Sequence, residues 1–213
     1  MYTPTHFNED SIDVLHELIR HHPLGTLITM TADGLNANHV PFMVDPQLAP
    51  FGLLRAHVAR SNSVWQTFNA DVDALVVFQG PDAYISPSWY PSKKEHGKVV
   101  PTWNYAAVHV AGPLLIRDDA DWMRAFLNDV TDHFEAARNT TSMRWKMHDA
   151  PEDYLQTMMG AVVGIEIPIA SIQGKWKVSQ NRPRADREGV AKGLVAEPGV
   201  AEHAMAKLVN PAL

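Results

Sequence analysis

Residues 57–62, His-Val-Ala-Arg-Ser-Asn, combine side chains that can hold a phosphate group. The hydrophobic pattern predicts that a strand ends in this segment and that a helix follows, so Ser61 or Asn62 can cap the helix. The free N–H groups of a helix N-terminus attract anions, and the Arg60 guanidinium can bind two phosphate oxygens at once. The same residues are equally compatible with an ordinary helix cap beside a solvated arginine. The segment therefore indicates a phosphate site but leaves that structural role open.

Residues 99–105, Val-Val-Pro-Thr-Trp-Asn-Tyr, place two large aromatic side chains around Asn104, next to Thr102. Trp103 and Tyr105 offer flat apolar faces, and the Asn104 amide can both donate and accept hydrogen bonds. That combination suits a planar heteroaromatic ligand. The alternative is a strand whose aromatic side chains pack in the core or at a subunit interface, where Trp and Tyr are also common.

The strongest local charge lies in residues 175–192, where six basic and two acidic side chains leave a net charge of +4. The basic residues are Lys175, Lys177, Arg182, Arg184, Arg187 and Lys192. Such a segment can bind an anion or DNA phosphates, or it can be a solvated basic face. The whole chain is acidic, with a formal net charge of −6 from 18 Lys and Arg against 24 Asp and Glu. Because DNA-binding proteins usually carry a basic surface, we expect any DNA binding to be weak, salt-sensitive and confined to this segment.

Several chemistries are excluded or disfavoured by missing residues or by spacing. The sequence contains no Cys, which excludes disulfides, thiolate metal sites and cysteine nucleophiles. It also contains no Gly-x-Gly-x-x-Gly, P-loop or Gly-x-Ser-x-Gly motif. His16 and His21 flank a zincin-like run, but a spacing of five turns the second side chain about 140° from the first. We therefore predict no metal site, and we interpret the strand residues His39, His57 and His109 as core or cofactor-lining side chains.

The elements that position these segments follow from the hydrophobic periodicity. Helical spacing predicts helices at about 9–22, 62–69, 119–138, 151–159 and 183–209, the last interrupted near Pro198. Strand-like runs occur at 26–30, 35–44, 52–58, 74–78, 84–86, 99–116 and 162–172, and Gly112-Pro113 predicts a bend within the run 99–116. Short turns and the lack of a regular βαβ alternation favour a small antiparallel β-barrel with helical additions, an α+β fold. With 46% hydrophobic residues, the chain can form a single domain over 1–213, with a C-terminal helical extension from about 183.

Five blocks of this sequence resemble those of the PaiB family. They are 38–42 (Asn-His-Val-Pro-Phe), 57–62 (His-Val-Ala-Arg-Ser-Asn), 84–91 (Tyr-Ile-Ser-Pro-Ser-Trp-Tyr-Pro), 97–105 (Gly-Lys-Val-Val-Pro-Thr-Trp-Asn-Tyr) and 177–182 (Lys-Val-Ser-Gln-Asn-Arg). The resemblance covers about residues 1–195, and several long blocks in one order are far more specific than a single short motif. The residues after Pro198 match no block.

The resemblance implies a protein that binds FMN and acts as a negative transcriptional regulator. It implies the antiparallel FMN-binding split barrel, the fold of pyridoxamine-phosphate oxidases and flavin reductases, and a homodimer with two FMN sites at the subunit interface. Residues 39–42 would flank the flavin ring, residues 60–62 would hold the phosphate, and residues 102–104 would lie near the ring. The cofactor-binding residues expected from the resemblance are His39, Val40, Pro41, Phe42, His57, Arg60, Ser61, Asn62, Thr102, Trp103, Asn104 and Arg182.

Two functional classes remain open on the sequence. One is a regulatory flavoprotein, and the other is a flavin- or haem-dependent oxidoreductase related to pyridoxamine-phosphate oxidases, with haem as the less favoured cofactor. A third possibility is that the site is empty and that the dimer has only an interaction role. The motifs contain no obvious acid–base pair or nucleophile that would assign a reaction. The sequence shows no secretory signal and no run long and apolar enough to span a bilayer, so we expect a cytoplasmic protein without a membrane partner.

Overall fold

A computed structural model describes residues 1–48, 50–138 and 143–212, and its contacts divide the chain into two compact units. The first unit comprises residues 1–22, 77–109 and 173–213, and the second comprises residues 23–76 and 110–172. The strands pair antiparallel and helices occur in both units, which is the predicted α+β class. A single domain over residues 1–213 stays a prediction.

The elements are numbered along the chain. The strands in the described ranges are β1 (Asn8–Glu9), β2 (Leu24–Thr31), β3 (Gly34–Pro41), β4 (Met43–Asp45), β5 (Leu53–Ala59), β6 (Ala74–Ile85), β7 (Thr102–Gly112), β8 (Leu115–Arg117), β9 (Val162–Pro168) and β10 (Ser171–Lys177). The helices there are α1 (Ile12–His21), α2 (Val64–Thr67), α3 (Ser92–His96), α4 (Ala120–Ala137), α5 (Glu152–Gly160), α6 (Arg184–Ala196) and α7 (Val200–Val209). Three single 3₁₀ turns complete them, at Thr5–Phe7, Pro87–Trp89 and Met147–Asp149.

In the first unit the strands follow the order β1, β10, β7, β6. Helices α6 and α7 pack on this part of the chain through a hydrophobic cluster that includes Ile85, Tyr90, Leu194 and Met205. Close approach is possible because α6 presents a glycine to the turn at Trp89: a Cβ at Gly193 would lie 2.3 Å from the Trp89 ring. The C-terminal helices are therefore part of the core of this unit.

In the second unit β2 and β3 form a hairpin, and a separate sheet has the order β4, β5, β9, β8. The hairpin turns at Gly34, whose φ of +112° lies in the region that only glycine adopts without strain. Alternate residues of β5 and β9, such as Leu54 and Ile165, are fully buried. Asp119 is the N-cap of helix α4, and its carboxylate accepts a hydrogen bond from the Trp122 backbone N–H at 2.7 Å.

Three expectations about the elements were wrong in detail. The runs at 74–78 and 84–86 are one continuous strand, β6, because Gly80 serves close packing against Leu18 and Ala106 and not a turn. The strand expected from residue 99 begins only at Thr102, whereas the bend expected at Gly112-Pro113 is present between β7 and β8, where Pro113 cannot donate a ladder hydrogen bond. The predicted strand 162–172 ends at Pro168, and a further strand, β10, was missed because its lysines suggested an exposed segment.

Candidate functional site

Five of the residues expected to bind a cofactor line one cavity of about 290 Å³ in the second unit. They are His39, Val40, Pro41, His57 and Asn62, and the remaining lining residues are Asn38, Val58, Ala59 and Val162. Strand β5 carries His57 to Ala59 to the cavity, and Ala59 pairs with Val162 of β9. The chain then turns back, with the Asn62 N–H donating to the Ala59 carbonyl oxygen at 2.9 Å. This turn brings Asn62 to the same cavity as the strand residues.

The N-cap of α2 is Ser63, not Ser61 or Asn62 as expected, and Asn62 instead closes the turn before the helix and lines the cavity. Its Oδ1 accepts a hydrogen bond from the Val64 backbone N–H at 3.0 Å, at the start of α2. Its Nδ2 donates to Asn38 Oδ1 at 2.8 Å, which ties the start of α2 to strand β3. Asn38 was not among the expected site residues. Its place at the start of the block 38–42 is the sequence feature that could have identified it.

The cavity presents neutral polar groups. Burial lowers the pKa of His57, so its imidazole is neutral near pH 7. The His57 ring lies edge-on to the Phe126 ring, with 5.9 Å between the ring centres. His39 is exposed on β3. The lining residues include no carboxylate, which leaves two imidazoles as the titratable groups of the described cavity. This arrangement suits hydrogen bonding to a neutral heteroaromatic ring better than strong acid–base chemistry.

The Arg60 guanidinium donates hydrogen bonds to oxygen atoms of the protein itself. Its Nη1 and Nη2 donate to the two carboxylate oxygens of Asp118 at 3.0 and 2.6 Å. Its Nε donates to the Gly160 carbonyl oxygen at 2.8 Å, and Nη2 also donates to the Val162 carbonyl oxygen at 3.1 Å. A phosphate at Arg60 would have to displace Asp118. The expected phosphate role of residues 60–62 therefore stays a prediction, with Ser61 exposed to solvent.

Replacing Asp118 by Asn is expected to lower stability at pH 7 and to have a smaller effect in acid. The hydrogen bonds from Arg60 hold the pKa of Asp118 below its usual range, so the carboxylate stabilises the folded state above its unfolded pKa of about 3.9. That contribution disappears as the pH falls through the lower folded-state pKa. Urea midpoints at pH 7 and pH 3 measure this, with Asp73→Asn as an exposed control. A difference from the wild type that stays constant with pH would contradict the prediction.

Phe42 packs in the hydrophobic core. Its side chain is 2% exposed, and it does not line the described cavity. Its backbone N–H donates to the Pro23 carbonyl oxygen at 2.8 Å. Of the block 38–42, the structure brings residues 38–41 to the cavity and places Phe42 in the hydrophobic core.

The other expected cofactor residues belong to the first unit. Trp103 is 55% exposed and meets Tyr84 edge to face, with 6.0 Å between ring centres. Asn104 is buried, and its Nδ2 donates to Ser179 Oγ at 2.9 Å, so its amide is already used in part. Thr102 Oγ1 accepts a hydrogen bond from Lys177 Nζ at 2.5 Å. Arg182 is the last of these expected cofactor residues. Its guanidinium carbon lies 5.1 Å from the centre of the Tyr90 ring.

The basic segment 175–192 is not one solvated face. Lys175 is only 8% exposed and lies in β10, between two neighbouring strands. Arg184 is exposed but pairs with Glu188 at 2.7 Å. Lys192 lies exposed on α6. Because one of these cations is buried and another is paired, the segment does not present all six charges to a DNA duplex.

In the described ranges, every helix is too short or too polar to cross a membrane. Within the same residues, no three His, Asp or Glu side chains gather as they would around a metal ion.

Comparison with known proteins identifies the family. A family model described as "Putative FMN-binding domain" matches residues 1–171. The protease synthase and sporulation protein PAI 2 of Bacillus subtilis is 31% identical over 213 residues, covering 100% of this chain and 98% of the relative. An uncharacterized protein of Aspergillus fumigatus is 33% identical over 237 aligned residues, covering 91% of this chain and 90% of the relative.

The solved structure of the flavocytochrome Anf3 from Azotobacter vinelandii superposes with a TM-score of 0.56 at 10% identity, over 80% of this chain and 69% of that one. At this identity the likeness shows the fold, and the predicted antiparallel split barrel is confirmed. The PaiB resemblance and FMN as the cofactor are confirmed by the family match and the Bacillus relative. The chain therefore belongs to the FMN-binding domain family to which its blocks pointed.

Proposed function

We propose that this protein is a regulatory flavoprotein and that the cavity lined by residues 38–41, 57–59 and Asn62 contacts the FMN ring. The observation that carries the proposal is the convergence of two separate blocks of the chain, 38–42 and 57–62, on one cavity in a member of an FMN-binding family. Thr102, Trp103, Asn104 and Arg182 are proposed as further flavin contacts, as the PaiB resemblance implies.

The residues of the cavity fit one part of the cofactor. Its volume of about 290 Å³ lies at the lower limit of small-molecule pockets, so it suits a portion of FMN. The exposed apolar side chains of Pro41 and Ala59 can cover a planar ring, and the neutral His57 and the Asn62 amide can hydrogen-bond to its edge. Bound FMN would supply one- or two-electron chemistry. The neutral lining favours binding and orienting the ring over proton transfer.

A homodimer is part of the proposal. On the hairpin β2–β3, one face carries Leu24, Met30, Leu35 and Pro41, all four exposed, together with Thr26, Ile28, Ala37 and His39. Leu24 and Leu35 are 61% and 76% exposed. A largely apolar sheet face of this kind is typical of a surface that a second copy covers, and the cavity residues His39 and Pro41 lie on it.

The regulatory part of the proposal is supported by the relative whose name refers to protease synthesis and sporulation. We propose that this regulation is indirect and runs through bound flavin. Lys175 is buried and Arg184 is paired with Glu188, which reduces the charge that segment 175–192 can offer to a DNA duplex. The oxidoreductase alternative has no comparable support, since no acid–base pair lies in the described cavity.

The purified protein is expected to bind FMN and to shift the flavin absorbance bands. A titration followed by flavin fluorescence gives the affinity, and light scattering on the same sample should give about twice the mass of one chain. A haem Soret band in the isolated protein would favour the haem alternative. Absence of any flavin binding at micromolar protein would contradict the proposed function, and a monomer would contradict the dimer.

A further inference from the structure

Three cationic side chains come together in the first unit at the end of β10. Lys175 and Lys177 are two residues apart on this strand, so they share one face. Lys177 Nζ donates to Thr102 Oγ1 and to the Trp103 carbonyl oxygen, both at 2.5 Å. Lys175 Nζ donates to the Tyr2 carbonyl oxygen at 3.0 Å and lies 5.2 Å from the centre of the Tyr105 ring. All of these partners are neutral, so they hold the ammonium groups in place without compensating their charge.

No carboxylate of the described residues lies within 4.0 Å of Lys175, Lys177 or Arg182. The buried carboxylate of this unit, Asp186, accepts hydrogen bonds from the Ser92 backbone N–H at 3.1 Å and from Ser92 Oγ at 2.7 Å. Burial lowers the pKa of Lys177, and the charges of Lys175 and Arg182 lower it further. The charged groups that act on Lys177 are thus both cations.

Positive charges that are partly removed from water and lack a counter-charge destabilise the folded state. A bound anion would relieve this repulsion and would accept the ammonium N–H groups that the protein leaves free. The positive charge of the cluster therefore favours the binding of an oxyanion.

The turn that follows β10 holds Arg182 rigidly. Ser179 has a φ of +64°, which is rare for a residue with a side chain, and its Oγ accepts the hydrogen bond from buried Asn104. The Ser179 carbonyl oxygen accepts from the Arg182 N–H at 2.9 Å. Gln180 Oε1 closes the turn by accepting from the Val178 N–H at 2.8 Å. Backbone strain that is stabilised by so many bonds is typical of functional positions, where it prepositions a side chain.

The residue whose carbonyl oxygen accepts from Lys177 also belongs to an aromatic pair. Trp103, whose carbonyl oxygen binds Lys177 Nζ, is more than half exposed, and it contacts the exposed ring of Tyr84. Exposed aromatic faces of this kind stack well on planar ligands. The ligand indicated by both features carries an oxyanion and a planar ring.

We propose that Lys177, together with Lys175 and Arg182, binds the phosphate monoester of a ligand with a planar ring. The assignment rests on the proposed function, in which that ligand is FMN, and it adds Lys175 and Lys177 to the residues that the sequence motifs suggested. It also removes the need for a phosphate to displace Asp118 from Arg60, since this cluster has no carboxylate to displace. The shared chemistry is the phosphate group, which FMN or a separate phosphate compound can supply.

The test compares Lys177→Gln with Lys192→Gln. The glutamine at 177 removes the charge but can still donate to Thr102 and to the Trp103 carbonyl, and Lys192 is an exposed lysine of the same basic segment. Affinities for FMN and for riboflavin, which lacks the phosphate, are measured by flavin fluorescence. The melting temperature is measured with and without inorganic phosphate in the absence of flavin. Arg182→Gln is measured in parallel, so that the result does not depend on one variant folding.

We expect Lys177→Gln to weaken FMN binding by about 10- to 100-fold, the range for one charged hydrogen bond, and to change riboflavin binding by less than about threefold. Phosphate should stabilise the wild type and the Lys192→Gln protein but not Lys177→Gln. If only the phosphate stabilisation is lost, the site is supported and its ligand is a phosphate compound other than FMN. If the wild type binds no flavin, the proposed function fails while the phosphate measurement still decides the site. Equal loss of FMN and riboflavin, or no loss of either with phosphate stabilisation retained, overturns the proposal.

Discussion

Replacing Ala59 by Trp is expected to weaken FMN binding by about 100-fold or more, which corresponds to ~2.7 kcal/mol. Ala59 lines the cavity at the end of β5 and is exposed, so a large side chain there can point into the cavity. An indole would occupy much of the 290 Å³ that the flavin ring is proposed to enter. The backbone of Ala59, which pairs with Val162 and accepts from the Asn62 N–H, would keep its bonds. Fluorescence titration with FMN and with riboflavin measures the effect.

Ala136→Trp is the matched control, because Ala136 is an exposed alanine of α4 in the same unit and lies away from the cavity lining. Both variants should melt within a few degrees of the wild type. Riboflavin binding should fall as strongly as FMN binding in Ala59→Trp, since both ligands carry the ring that the cavity is proposed to bind. Retention of wild-type affinity in Ala59→Trp would show that the flavin ring binds elsewhere.

Gly164→Ala is expected to destabilise the fold by about 1–3 kcal/mol, the usual cost of overpacking a filled core. A Cβ at Gly164 would lie 2.2 Å from the Trp122 ring. Trp122 cannot move freely, because its Nε1 donates to the buried Glu166 at 2.9 Å and its ring stacks on Phe126 at 5.1 Å between centres. Since Gly164 pairs with His57 across β5 and β9, the disturbance would also reach the cavity wall.

Gly160→Ala provides the control for this prediction. Nothing lies within 4 Å of the position that its Cβ would take, and Gly160 ends helix α5. The free energy of unfolding of this variant should stay within about 0.5 kcal/mol of the wild type. Urea unfolding at pH 7 measures both variants. Equal stability of the two variants would mean that Trp122 can yield, and the packing argument would be wrong.

The fold class was predictable because local patterns and the fold agree over most of the chain. The apolar alternation and the turn at Gly34 predicted the hairpin β2–β3, and the glycine does adopt a positive φ. The helical spacing of apolar residues predicted α1 and α4. Strand β10 was not predicted because Lys175 and Lys177 suggest an exposed segment. Tertiary packing instead places Lys175 beside the Tyr105 ring and supplies carbonyl oxygens that accept hydrogen bonds from both ammonium groups.

The sequence by itself determined the family, the α+β class and the blocks that carry the candidate site, because these depend on residue order and spacing. Only the tertiary structure decided how the polar groups of those blocks are used. Asp118 lies 58 residues from Arg60 along the chain but takes its guanidinium, while Lys177 has no acidic partner among the described residues. A side chain's partner is set by which atoms the fold brings within about 3 Å, and residue type alone does not encode this. The spacing of motifs could therefore locate candidate phosphate ligands, and the structure was needed to separate a cation that is already paired from one that still lacks an anion.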